Sequence, residues 1–350
     1  MTKPLSFQML AYDDCWQDLI QIRNECRDTV RDKCYMDWRY LGRPCRKKPK
    51  IIWAINELGE KVGSMSIVPH DYCLDGRVCQ VGIIGDISVL STCQGQGIAG
   101  KMLTFFIGHA FYKELEGCIV LLSEHVSHLF VKVGWQHVSG INRCVKIINF
   151  EPSLRAKLPA FLAIPTGKLI NWLARQASVR HRLKLPAEFS TCCTKEFDSS
   201  YNQLWQKFDK SECCLGLRTA EYLTWRYHQH PLNIYYSFEL RNQSGLCGYI
   251  IYYQDNGKVL INDTLCLQGD KYALYLLSEF IRHVMGMDTV ESIVLSVNES
   301  VQKQYPLNKV GFIKRSDSLI FMIPHQDYLP RDSGLLLGNR WHLTVGDKDV

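Results

Sequence analysis

The sequence predicts a mixed α/β protein built from two similar units in tandem. Helix-like and strand-like segments alternate along the chain, which favours a sheet covered by helices over an all-helical or all-strand fold. A ten-residue pattern at 35–44 returns at 222–231, and such a repeat indicates a duplicated unit. In the first copy a strand-like segment runs into a glycine-rich turn at 94–100, and a helix-like segment follows. Strand, loop and helix in that order can hold a phosphate group.

Length and composition limit the class of protein. The 350-residue chain is long enough for two domains, and its 46% hydrophobic and 22% charged residues are typical of a globular protein. A formal net charge of +6 is a mild bias and does not predict nucleic-acid binding. The 15 cysteines form no CxxC pair, so we expect reduced thiols and no metal site. The sequence shows no signal peptide and no apolar run long enough to span a membrane, which predicts a cytoplasmic protein.

The first 150 residues predict a definite order of elements. Apolar spacing distinguishes the helices, and β-branched or alternating runs distinguish the strands. The expected elements are a helix at 12–22, a strand hairpin at 51–55 and 62–68, a strand at 83–90, the glycine-rich loop and its helix, a strand at 118–123, a helix at 124–133 and a final strand to 148.

The second half of the chain repeats the first. YMDWRYLGRP at 35–44 aligns with YLTWRYHQHP at 222–231, with five of ten positions identical. Asp86 aligns with Asp263, and KVGW late in the first copy aligns with KVGF in the second. An arginine beside aromatic residues can grip a carboxylate or phosphate, but the recurrence of the Trp-Arg pair in both copies favours a structural role.

We therefore predict a first unit over residues 1–150, a connector over 151–190 and a second unit over 191–350, and call the two units the first and second half of the chain. The connector carries four prolines around a helix-like run at 169–179. Its basic residues predict the solvated face of a linker helix, with contact to an acidic partner or a membrane surface as the alternative. They are Lys168, Arg175, Arg180, Arg182 and Lys184.

The glycine-rich segment QGQGIAG at 94–100 follows the strand pattern DISV at 86–89. Glycines in such a turn let backbone N–H groups approach a pyrophosphate at the positive end of the following helix. The segment lacks GxxxxGK[ST], which argues against a P-loop, and it lacks the third glycine of the dinucleotide fingerprint. An ordinary glycine-rich turn is the alternative.

The pattern QxxGx[GA], met by Gln94, Gly97 and Ala99 after DISV, resembles motif A of the GNAT acyl-CoA N-acyltransferases. The resemblance covers most of residues 5–150 and, with the repeat, implies two tandem GNAT-like domains. It also implies that the motif binds the pantetheine arm and pyrophosphate of acetyl-CoA or another acyl-CoA. The residues implied are Ile87, Ser88, Val89, Gln94, Gly95, Gln96, Gly97, Ile98, Ala99 and Gly100.

The second copy of this loop differs from the first. Residues 266–273 keep one glycine and place Asp270 where a phosphate would lie, beside the bulky Tyr272. A carboxylate at that position disfavours an anion. We therefore expect the second half to be a degenerate GNAT-like domain that keeps the fold as a wall of the substrate cleft or as a packing partner.

Acyl transfer to an amine needs a base for the amine and a proton for the leaving thiolate. The resemblance implies an acidic residue on the strand before the loop, which makes Asp86 the first candidate and Glu124 the second. A carboxylate paired with an arginine is the alternative for Asp86. Many family members carry a tyrosine four residues before the glycine of the final GF or GW, but Phe130 stands there and cannot donate a proton. His128 or His125 is the candidate acid, unless solvent protonates the thiolate.

The leading expectation is an acetyl-CoA-dependent N-acetyltransferase that acts by direct transfer on a small amine, amino sugar or related metabolite. A non-catalytic acyl-CoA sensor or scaffold is one alternative, which Phe130 favours, and a tandem transferase with a long-chain acyl or aminoacyl donor is another. Near the end of the chain, Asp347 and Asp349 are candidates to bind a cationic substrate, with an exposed polar terminus as the simpler account.

Overall fold

The computed structural model describes residues 4–180, 184–267, 271–287, 289–324 and 335–348. Within these ranges the strands are β1 Ser6–Ala11, β2 Lys50–Ile55, β3 Lys61–Leu74, β4 Arg77–Val89, β5 Gly117–Ser123, β6 Trp135–Ile147, β7 Phe189–Thr194, β8 Cys214–Gly216, β9 Tyr236–Asn242, β10 Gly245–Asp255, β11 Lys258–Cys266, β12 Ser292–Asn298 and β13 Ile313–Pro324. The helices are α1 Trp16–Glu25, α2 Lys33–Tyr40, α3 Ile98–Gly108, α4 Ala110–Lys113, α5 Glu124–Lys132, α6 Glu151–Arg155, α7 Ala160–Arg180, α8 Ser199–Lys207, α9 Ala220–Leu223, α10 Tyr272–Met285 and α11 Glu299–Gln304.

The strands form one continuous mixed sheet. Its order is β1-β2-β3-β4-β5-β13-β6-β12-β11-β10-β9-β7, and β8 pairs with the far end of β3. Pairs β4–β5 and β11–β12 are parallel, while the remaining pairs are antiparallel. The predicted mixed α/β class is therefore confirmed.

The last strand of each half lies inside the sheet of the other half. β13, from the second half, pairs with β5 on one side and with β6 on the other. β6, from the first half, pairs in turn with β12. The exchange is reciprocal, with β6 and β13 paired to each other at the centre of the sheet. A sheet completed in this way leaves no open edge where the halves meet.

A second reciprocal contact joins the two copies of the Trp-Arg-Tyr motif. The indole N–H of Trp38 donates to the carbonyl oxygen of Trp225 at 2.8 Å. The indole N–H of Trp225 donates to the carbonyl oxygen of Trp38 at the same distance. The rings stack with centroids 5.4 Å apart, and both side chains are buried. This contact supports the structural role expected for the motif.

Buried apolar side chains tie the halves into one body. One core joins α1 and α2 of the first half to α8 and α9 of the second, through residues such as Leu19, Tyr35, Leu204 and Leu223. A second core lies under α3 in the first half, and a third lies under α10 in the second. Among the described residues, no helix is long and apolar enough to cross a membrane.

Several elements differ in extent from their prediction: β3 runs on to Leu74, and the first helix spans Trp16–Glu25 rather than 12–22. β4 begins at Arg77 rather than at residue 83, because Asp75 and Gly76, with φ of 51° and 78°, form a tight turn that pairs Leu74 directly with Arg77. The connector helix α7 begins well before residue 169 and contains Pro165. A proline within a helix removes one backbone hydrogen bond, but α7 continues past Pro165 to Arg180.

Candidate functional site

The glycine-rich loop has the backbone conformation that its glycines predict. Gly95 and Gly97 have φ of 76° and 72°, a region that other residues rarely adopt, and Gly97 is the residue that precedes α3. A Cβ atom at either position would meet no heavy atom within 4 Å, so the space above the loop is open. The side chain of Gln94 donates to the carbonyl oxygen of Val89 at 3.1 Å and fastens the loop to its strand.

Helix α3 is held by its apolar face, which leaves its first turn free for a ligand. Ile98, Met102 and Phe106 are buried against the sheet. The first N–H groups of a helix have no partner within the helix, and the helix dipole makes that end positive. A groove of about 540 Å³, lined by Gly97, Gly100 and other residues of α3 together with Phe7 and Val133, runs beside this end. The arrangement suits a phosphate-bearing ligand.

Strands β4 and β5 separate beside this loop. They pair in parallel only from Val81 to Ile83 on β4 and from Gly117 to Ile119 on β5. Beyond those residues β4 pairs only with β3, and residues 120–123 of β5 pair with β13 on the opposite edge. The facing edges therefore enclose a wedge-shaped cleft that opens toward the glycine-rich loop, and we call it the first cleft.

Asp86 lies where β4 enters the first cleft, and its carboxylate is fully engaged. Asp86 and Ile87 face the single residue Met65 across a β-bulge, and Asp86 has φ of 42°. Its Oδ2 lies 2.9 Å from the guanidinium of Arg39 and accepts a hydrogen bond from Tyr40 at 2.8 Å. Its Oδ1 lies 3.6 Å from Arg23, and the side chain is 6% exposed. The arginine-paired alternative raised for Asp86 is thus the observed geometry.

The other three candidates lie at the end of β5. Glu124, His125 and His128 are exposed on the first two turns of α5, which begins where β5 ends. Phe130, on the same helix, is buried and packs edge-to-face on Trp135 with ring centroids 5.1 Å apart. Because Phe130 is buried, the position where the resemblance leads one to expect a tyrosine is part of the core here. Within the described part of the chain, no hydrogen bond or ion pair joins Asp86 to Glu124 or to either histidine.

The cofactor residues predicted on β4 are accessible to different extents. Ser88 is buried, with no hydrogen-bond partner described for its hydroxyl, whereas Ile87 and Val89 are partly exposed. The carbonyl oxygen of Ile87 accepts a hydrogen bond from the guanidinium of Arg27 at 3.0 Å. Arg27 lies between α1 and α2, so the segment that joins these two helices reaches over the β-bulge at Asp86 and Ile87. Sequence reasoning missed Arg27, because no pattern marks a residue sixty positions away from its partner.

The corresponding cleft in the second half is filled by the end of the chain. β11 and β12 pair only from Lys258 to Ile261 on β11 and then separate. Thr344 forms a backbone bridge with Val297 of β12, and the imidazole of His342 bonds to the carbonyl oxygen of Thr264 on β11 at 3.1 Å. The tail around 341–347 therefore lies in the second cleft.

A buried charge cluster anchors this tail. The guanidinium of Arg218 lies 2.7 Å from Asp263 and 2.6 Å from Asp347, and all three side chains are at most 1% exposed. Burial raises the pKa of Asp263 to about 6 against the opposing effect of Arg218, and the Asp347 carboxylate adds to the rise. Arg226 donates to the carbonyl oxygens of Gly346 and Lys348 at 2.9 and 3.0 Å.

The cluster corrects one prediction made from the tail. Asp347 cannot bind a cationic substrate at the surface, because it is buried and already paired with Arg218. Asp349 lies outside the described residues, as do Gln268, Gly269 and Asp270 of the second glycine-rich loop and Arg182 of the connector. The Asp–Tyr pair recurs in both halves: Tyr227 lies 3.3 Å from Asp263, as Tyr40 lies 2.8 Å from Asp86.

These features define a class of protein, one with a mixed sheet in which an anion-binding strand, loop and helix lie beside two separating parallel strands. Residues 14–135 match the sequence model of the Acetyltransferase (GNAT) family. This part of the chain is therefore a GNAT acetyltransferase domain. Comparison with curated protein sequences gave no significant match.

Solved structures of similar fold cover both halves of the chain. A probable N-acyltransferase from Enterococcus faecalis has 10% identity and a TM-score of 0.66 over 92% of this chain and 72% of its own. A GCN5-related N-acetyltransferase from Anabaena variabilis has 13% identity and a TM-score of 0.61 over 90% and 72%. Eis1 from Mycobacterium abscessus has 12% identity and a TM-score of 0.54 over 91% and 73%. At such identities the likeness shows a shared fold.

Proposed function

We propose that the protein is an acetyl-CoA-dependent N-acetyltransferase that binds the coenzyme in its first half and acetylates a small amine, amino sugar or related metabolite. One contrast carries the proposal. The first cleft opens toward a loop with two glycines at positive φ and open space above them. The tail occupies the equivalent cleft of the second half. The second half is then a degenerate GNAT-like domain that supports the first. Acetyl-CoA would supply the activated thioester.

The backbone N–H groups at the start of α3 would hold the pyrophosphate, with Gly95 and Gly97 allowing its close approach. Glu124 is our candidate to accept the proton of the amine, since it is exposed at the end of β5. Asp86 would act through its partners, because Arg39, Arg23 and Tyr40 already occupy both oxygens. His128 or His125 would return a proton to the thiolate.

Calorimetric titration with acetyl-CoA tests the binding step. Gly97→Asp puts a side chain and a negative charge where the pyrophosphate would lie, so we expect binding to be lost. Gly59→Asp is the matched control, because Gly59 also has positive φ, 80°, in an exposed turn with open space around it. Unchanged affinity in Gly97→Asp would show that the loop is only a turn. Titrations with CoA and a long-chain acyl-CoA test the choice of donor.

Rates and unfolding measurements together separate the two carboxylates. Glu124→Gln should lower the rate and leave acetyl-CoA affinity and the free energy of unfolding unchanged. Asp86→Asn should lower the rate and also lower the free energy of unfolding, because it strips a charge from a buried ion pair. If Glu124→Gln keeps the full rate, Glu124 is not the base.

A non-catalytic acyl-CoA sensor is the second candidate. It is favoured by the burial of Phe130 at the position where the family resemblance implies an acid, and by the full engagement of Asp86. Tight acetyl-CoA binding without turnover across a panel of amines would support the sensor and reject the transferase.

A further inference from the structure

Helix α7 of the connector faces the protein with its small and polar side. Ala163 is fully buried, and a Cβ atom at Gly167 would lie 2.9 Å from the Cα of Glu151 on α6. Asn171 accepts from the backbone N–H of Phe150 at 2.8 Å and donates to the side chain of Asn149 at 2.7 Å. These contacts fix which side of the helix points outward.

The outward side of α7 is apolar, the reverse of the usual arrangement for a surface helix. At about 100° per residue its exposed members fall within an arc of about 120°. The side chains of Phe161 and Trp172 are 74% and 57% exposed. The stripe, called the α7 apolar face, consists of Phe161, Leu162, Pro165, Leu169, Trp172 and Leu173.

Most of the charge around this face is positive. Residues 152–187 contain seven lysines and arginines and no aspartate or glutamate, and Glu151, just before them, pairs with Arg155. The remaining 34 basic and 35 acidic residues of the chain nearly cancel, so the net charge of +6 comes from this segment. Lys157, just before α7, and Lys168, next to Leu169 on α7, are both exposed.

We propose that α7 binds the surface of an anionic lipid bilayer, with its axis parallel to the membrane plane. The helix would bury the α7 apolar face at the boundary between headgroups and acyl chains, where aromatic and leucine side chains are favoured. The exposed Lys157 and Lys168 would meet the lipid phosphates. Charge complementarity distinguishes this occupant from a second copy of the chain, since two copies would bring two strongly basic segments together.

Vesicle co-sedimentation of the full chain tests the proposal. We expect binding to vesicles of equal parts phosphatidylcholine and phosphatidylglycerol, weaker binding to phosphatidylcholine alone, and a decrease with salt. Replacing Phe161, Leu169 and Trp172 together by serine should weaken partitioning at least about a hundredfold. Lys157→Ala with Lys168→Ala should weaken it about tenfold to thirtyfold.

The control removes equally exposed apolar side chains from other surfaces. Leu58→Ser, Val78→Ser and Leu232→Ser together should leave vesicle binding unchanged. Acetyl-CoA titration of both triple variants reports whether the fold is intact, so loss of the lipid site is separable from loss of the proposed function. Absence of binding to the anionic vesicles, or binding that the Phe161, Leu169 and Trp172 variant retains, would overturn the proposal. The face would instead be assigned to a second copy of the chain if the native protein forms concentration-dependent dimers and does not bind vesicles. In that case the Phe161, Leu169 and Trp172 variant should abolish the dimers.

Discussion

Asp347→Asn tests whether the tail is a structural plug of the second cleft or a substrate-binding segment. Asp347 shares the buried Arg218 with Asp263 and also accepts from the backbone N–H of Thr344 at 2.9 Å. The substitution keeps the size of the side chain and removes its charge. A structural plug should therefore lose stability, whereas a surface site for a cation would lose only substrate affinity.

The magnitude follows from burial. Removing one partner of a buried ion pair costs about 3 to 5 kcal/mol, because the other charge stays buried. Arg218 keeps Asp263, so we expect the lower end, about 3 kcal/mol. For 350 residues the unfolding entropy is about 0.7 kcal/mol/K, which converts this loss to a Tm lower by about 4 °C.

Urea and thermal unfolding followed by circular dichroism measure the effect. Asp75→Asn is the matched control: Asp75 pairs with Arg340 of the same tail at 3.1 Å, but it is 38% exposed, so its loss should cost less than about 1 kcal/mol. Acetyl-CoA affinity should be unchanged in both variants. Native stability in Asp347→Asn combined with a raised KM for the amine would refute the plug and restore the substrate-binding interpretation.

Two further predictions concern packing and pH. Trp38→Phe and Trp225→Phe should each cost about 1 to 3 kcal/mol in urea unfolding, since each leaves a buried carbonyl without its donor, and the double variant should show a coupling of at least about 0.5 kcal/mol. Burial lowers the pKa of His342 to about 4, so below pH 6.5 the unfolded chain binds a proton that the folded protein does not. The stability present above pH 6.5 should fall by about 3 kcal/mol toward pH 4, with Asp263 acting in the opposite direction, and His342→Gln should remove the part due to His342. Losses that simply add in the double Trp variant, or a pH slope that His342→Gln leaves intact, would contradict these two accounts.

The sequence was most informative where short-range chemistry decides the structure. The loop at 94–100 could be predicted because glycine, a strand and a helix start leave few alternatives for the backbone, and Gly95 and Gly97 indeed have positive φ. The repeat revealed the positions of Trp38 and Trp225, but not that they touch. Contacts between residues 187 apart depend on how whole sheets assemble, which local patterns do not encode.

The candidate site was harder to predict for the same reason. Asp86 was expected either as a base or as an ion-paired carboxylate, and only the positions of Arg23 and Arg39 on α1 and α2 decide its geometry. The role expected for Asp347 was wrong because a polar terminal segment is usually exposed. Its burial depends on Arg218, which stands 129 positions away from Asp347.

The strand exchange gives the second half a structural role that does not depend on cofactor binding. Among the described strands β6 pairs only with β13 and β12, both from the second half, so a chain ending at residue 150 would leave β6 unpaired and the 120–123 edge of β5 open. Unpaired strands of this kind aggregate. We therefore expect residues 1–150 alone to be insoluble or to lack a cooperative thermal transition, and to regain acetyl-CoA binding when residues 151–350 are co-expressed. A soluble, cooperatively melting monomer of residues 1–150 that binds acetyl-CoA would show that the first half completes its own sheet, and the second half would then need another explanation.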